Sequence, residues 1–129
     1  MNTKWVLTAS ALFLAVIGIG LTFLPKEIAG LMGLESIKFF PLVLQLAGSL
    51  YFSFAMINWM AKGSIIGGIY NKPIALGNFT HFFIGALALL KFWMNVGGLP
   101  QSVEILTVLY ALFAILFGLI VFKHPAGNS

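Results

Sequence analysis

VEILTVLYALFAILFGLIVF, residues 103–122, decides the fold. Its only ionisable side chain that carries charge at neutral pH is Glu104, beside the start, and beyond that residue the only polar groups are the hydroxyls of Thr107 and Tyr110 in an otherwise apolar run. A helix in water keeps a polar stripe, whereas one hydrophobic all round is surrounded by apolar matter. At about 1.5 Å per residue, such a run covers the roughly 30 Å of hydrocarbon in a bilayer. The segment therefore predicts a membrane-spanning helix.

Three more runs of the same kind lie N-terminal to it, at residues 74–96, 41–61 and 5–24. Helix breakers separate them: Pro25 after the first, Pro41 opening the second, Pro73 ahead of the third, then Gly97, Gly98 and Pro100, with Pro125 beyond the fourth. The prediction is an all-α integral membrane four-helix bundle forming a single domain over residues 1–129. The first run is too long for the apolar part of a secretory signal and is read as an uncleaved span. Residues 25–40 form the one sizeable loop, where Ile28, Leu31 and Met32 beside Lys26 and Glu27 suggest a short interfacial helix.

Four spans put both termini on one side. That side carries Lys4, Lys62, Lys72 and Lys123, against Lys26 and Lys38 opposite, so the positive-inside rule places the termini in the cytoplasm. Trp5, Trp59 and Trp93 fall near span ends, as rings that favour the headgroup boundary do. The chain has 60% apolar and 8% charged residues, seven Lys, three Glu and no Arg, Asp or Cys. Its lysines are too dispersed to displace counterions from a phosphate backbone, which excludes nucleic acid as a partner. The expected surroundings are the lipid bilayer, and a homo-oligomer or a membrane-complex partner.

In lipid, helices associate through small residues and polar contacts, so such faces mark the interior. Thr8, Ala11, Ala15, Gly18 and Thr22 form one packing seam, and Thr107, Ala111, Ala114 and Gly118 another. Two further stripes are more polar than packing requires. Gln45, Ser49 and Ser53 align on the second span, and Asn78, His81, Gly85, Ala88 and Asn95 on the third. Each amide or imidazole there needs hydrogen-bond partners in a medium without water. Gln45, Ser49, Ser53, Asn78 and His81 are therefore the candidate ligand-binding residues.

Entering at Ile74, the third helix carries His81 about 10 Å deep and Lys91 about 25 Å along, near the far surface. Lys91, Asn95 and Glu104, with Gln45 entering from the same outer side, then form a candidate outer polar cluster, with a Lys91–Glu104 ion pair as its expected contact. It is read as an interfacial network pinning helix ends or else as a vestibule for a polar headgroup or ion. An imidazole at the depth of His81 is suited to proton relay or to accepting a hydrogen bond from a quinone-like molecule. The alternative is a neutral structural side chain bonded to Ser53 or Asn78.

Catalytic and metal constellations are missing from the sequence. Without Asp or Cys, and with His124 beyond the last span, His81 has no adequate co-ligands and no triad partner. The glycine-rich residues 63–68 lack the strand–turn–helix context of a phosphate loop. No catalytic residue, metal or cofactor is assigned.

The order of one span, the segment PKEIAGLMGLE at residues 25–35, and three further spans resembles DoxX-like and related small bacterial four-helix membrane proteins. The resemblance implies a bacterial inner-membrane location and no functional residue. Two functional readings stand. The first is a non-enzymatic accessory or assembly subunit of a membrane complex or homo-oligomer. The second is binding or transport of a small amphipathic ligand, quinone-like or a lipid headgroup, in a polar pocket around His81.

Overall fold

The computed structural model describes residues 3–63, 72–98 and 101–123. They form five helices: α1 (Thr3–Phe23), α2 (Pro25–Leu31), α3 (Phe40–Ala61), α4 (Lys72–Asn95) and α5 (Gln101–Lys123). No strand occurs among the described residues. Helices α1, α3, α4 and α5, over 21, 22, 24 and 22 residues, are long and apolar enough to cross a membrane. The short helix α2 stands in the loop where the sequence places one. Of the expected landmarks, Pro100, His124, Pro125 and residues 64–68 lie outside the described residues.

Packing divides the chain into two compact units, Leu7–Lys62 and Met1–Val6 with Gly63–Ser129. In the first, α1 and α3 run antiparallel. As the α1 residue advances from Ser10 to Gly18 to Thr22, its α3 partner recedes from Asn58 to Gly48 to Gln45. The closest approach is a glycine pair. A Cβ on Gly18 would lie 2.8 Å from the backbone nitrogen of Phe52 and 3.0 Å from the carbonyl oxygen of Gly48. A Cβ on Gly48 would meet Thr22 Oγ1 at 2.6 Å and Gly18 O at 3.0 Å. Small residues let the two backbones touch, which is how association is driven where no hydrophobic effect operates.

Pro25 opens α2 at a position where its missing N–H goes unmissed, and Glu27 in the first turn faces the positive end of the helix dipole. The helix stops at Gly33, whose φ of 73° is the left-handed conformation that glycine adopts without a Cβ penalty. Leu34 N then donates to Ala29 O at 2.8 Å and Gly33 N to Gly30 O at 3.1 Å. This 6→1 and 5→2 pair satisfies carbonyls that would otherwise be orphaned. Ala29 is fully buried, and α2 packs on α3.

In the second unit α4 and α5 pack antiparallel, and their contact is aromatic. Phe82, fully buried, stacks on Phe113 at 5.0 Å and on Phe117 at 5.8 Å between centroids, and meets Tyr110 edge-on at 5.1 Å. Two α4–α5 contacts seat a ring over a glycine. The Tyr110 ring occupies the space a Cβ on Gly85 would need, and the Phe79 ring lies against Gly118. Phe79 also stacks on Phe83 and meets Phe122 edge-on.

Away from these seams the helices present large apolar side chains outward, among them Trp5, Val16, Leu50, Met60, Ile84, Ile115 and Phe122. Contiguous apolar surface on this scale is foreign to a soluble monomer and is what hydrocarbon solvates.

Candidate functional site

The three polar residues of α3 lie on an exposed face at four-residue steps, as their spacing predicts. Two of them are turned back on the chain. Ser49 Oγ donates to Leu46 O at 2.7 Å and Ser53 Oγ to Ser49 O at 2.8 Å, so both hydroxyl protons are spent inside α3. Gln45 Nε2 reaches across to the Thr22 carbonyl of α1 at 3.3 Å, a long contact between helix ends. Ser49 and Ser53 also border a groove of about 390 Å³ with Gly18, Ile19, Thr22, Phe23 and Phe52.

The α4 candidates behave similarly. Asn78 is fully buried, and its Nδ2 donates to Ile74 O of its own helix at 2.9 Å. His81 is half-buried, with Nε2 3.0 Å from the Tyr110 hydroxyl on α5. Local geometry explains that meeting. Gly85 lies about one turn beyond His81, so a ring seated over Gly85 brings its hydroxyl to the imidazole. Phe82, edge-on to His81 at 5.0 Å, closes another side. Tyr110 is 3% exposed and escaped the sequence reading because a single tyrosine in an apolar run reads as hydrophobic.

A second contact also went unread. Asn58 of α3 and Ser10 of α1 are both fully buried, Asn58 Nδ2 donating to Ser10 Oγ at 3.0 Å while Ser10 Oγ donates to Leu7 O at 3.0 Å. Asn58 stands beside Trp59 near a span end, where an amide draws no notice. Thr107 Oγ1, on the predicted α5 seam, donates to Val103 O at 2.8 Å. Among the described residues no buried side-chain nitrogen or oxygen lacks a partner.

The expected Lys91–Glu104 ion pair does not form: both residues are described, and no such bridge joins them. Lys91 comes nine residues after the buried Phe82, which at about 3.6 residues per turn sets it half a turn away, on the exposed face. Asn95, one turn further, is exposed too, whereas Glu104 is half-buried in a cleft with Trp93, Gln101 and Ile105. These three residues therefore share an end of the α4–α5 hairpin without closing into one network.

No group of three His, Asp or Glu among the described residues is placed to hold a metal ion. In comparisons with known proteins, no family model matches the chain, and neither a curated protein nor a solved structure is similar enough to stand as a relative.

Proposed function

We propose that the chain is a non-enzymatic accessory or assembly subunit, working within a larger membrane complex or a homo-oligomer of the bacterial cytoplasmic membrane. The observation that carries this reading is how the polar side chains of the spans are used. Ser49, Ser53, Asn78 and Thr107 bond their own helices, Gln45 and Asn58 reach a neighbouring helix, and His81 meets Tyr110. The first four are satisfied within a helix and the last three link neighbouring helices, so each has a structural use that calls for no bound substrate. Orientation comes from lysine: Lys4, Lys62, Lys72 and Lys123 put both termini in the cytoplasm, with α2 lying in the outer interface. The likeness to DoxX-like proteins in length and span order supports the location.

Native mass spectrometry of the protein extracted gently from its own membrane tests the reading. Co-purifying chains or a defined oligomer support it, and a lone monomer overturns it.

A second reading, binding of a small amphipathic ligand, is favoured by the groove of about 390 Å³ beside Ser49 and Ser53, whose oxygens keep acceptor capacity. A small molecule retained by the purified protein and lost in Ser53→Leu would move the conclusion there.

A further inference from the structure

Between α1 and α3 runs a second groove of about 330 Å³, lined by apolar side chains that include Ala11, Ala15, Phe52, Met56, Trp59 and Met60. Along α3 it extends from Phe52 to Met60, about 12 Å of helix. Small residues on α1 form its floor. Met56 and Met60, 54% and 78% exposed, form an open and adaptable rim.

One end of the groove is chemically different from the rest. Trp59 is a wall of the groove, and the Lys62 ammonium sits over its ring, 3.0 Å from the centroid. Residues three apart share a helix face, so the lysine is fixed by its spacing at the end where α3 leaves the span. The indole holds the cation by its ring quadrupole, leaving the ammonium hydrogens that point away from the ring available to an anion. Passing along α3 from Phe52, the order is an apolar channel, an amphipathic indole, then a positive charge.

That order matches a phospholipid lying along the helix: acyl chain, glycerol-ester boundary, phosphate. We propose that the α1–α3 groove is a binding site for one anionic phospholipid, its acyl chain between Ala15 and Met56 and its phosphate on Lys62. Charge complementarity selects the occupant. A zwitterionic headgroup would set its own cation beside Lys62, whereas an anionic one meets the ammonium unopposed. With both termini in the cytoplasm, Lys62 faces the cytoplasmic leaflet, where anionic headgroups attract lysine. Ser53 is not among the residues that line it, and its occupancy does not depend on the accessory role.

The test is native mass spectrometry of delipidated full-length protein in detergent, titrated with phosphatidylglycerol and phosphatidylcholine of identical acyl chains. The expected result is one lipid per chain with about a fivefold preference for phosphatidylglycerol, the factor that one lysine near an anionic surface supplies. In Lys62→Gln the preference falls to about parity while a lipid is still retained, and in Ala15→Phe retention of both lipids falls. Equal binding of the two lipids by the unaltered chain overturns the proposal, as does a preference that survives Lys62→Gln. Displacement by millimolar inorganic phosphate marks a plain anion site instead, and a lipid-free dimer abolished by Ala15→Phe puts a second copy in the groove. Either result refutes the lipid.

Discussion

Replacing Gly18 by alanine adds one methyl group where backbone stands on every side. The three atoms nearest the new Cβ are Phe52 N at 2.8 Å, Gly48 O at 3.0 Å and Phe52 Cα at 3.1 Å, none of which can rotate away. To reach an ordinary contact near 3.4 Å, α1 and α3 must part by about 0.6 Å, a gap that forfeits a quarter to a half of the dispersion attraction across the seam. Overpacking of this kind costs about 1–3 kcal/mol. Gly20, two residues on, provides the control. Its Cβ would find only Ile28 Cδ1, at 3.8 Å, so Gly20→Ala meets ordinary contact and gains up to about 1 kcal/mol of helix propensity. The same chemical change therefore has opposite signs within one turn of α1. Unfolding free energies from detergent-to-SDS titration, monitored by circular dichroism, read the difference. Gly18→Ala as stable as Gly20→Ala would refute the close approach.

Other substitutions probe the remaining contacts. Tyr110→Phe removes the hydroxyl facing His81 and lowers stability by about 0.6 kcal/mol, at most about 1.7, in the same titration. A double-mutant cycle on Ser10→Ala and Asn58→Leu gives a coupling of similar size, because the two side chains bond one another while buried. Lys91→Gln combined with Glu104→Gln shows no coupling beyond about 0.3–0.5 kcal/mol, since no ion pair links them. Gly33→Ala forces a left-handed backbone on a residue with a Cβ and costs about 1–2 kcal/mol, visible as loss of order in the segment after α2 by hydrogen exchange.

Helix number and position were legible because apolar length and breakers act locally: α3 begins one residue before the predicted start, and α1 ends one residue before the predicted end. The small-residue seams were legible for the same reason, for in lipid a glycine face has few uses besides close approach. Partners across helices were harder to read. Which α5 residue faces His81 depends on the stagger of α4 against α5, and that stagger is set by where the Tyr110 ring finds Gly85, a fit between shapes absent from either segment alone. Lys91 shows the complementary error: depth along the helix brought it near Glu104, while its rotation about the axis pointed it elsewhere. The lysine at the end of the α1–α3 groove went unread because a groove has no signature until two helices enclose it.

Four helices crossing a bilayer put successive loops on opposite sides of it, and the chain, having no cysteine of its own, suits a direct test. Single cysteines at Gly33, Gly63 and Gly97 are challenged with a membrane-impermeant maleimide on intact cells and again after permeabilisation. Labelling of Gly33→Cys and Gly97→Cys on intact cells, with Gly63→Cys labelled only after permeabilisation, is the predicted result. Labelling of all three from one side would contradict it.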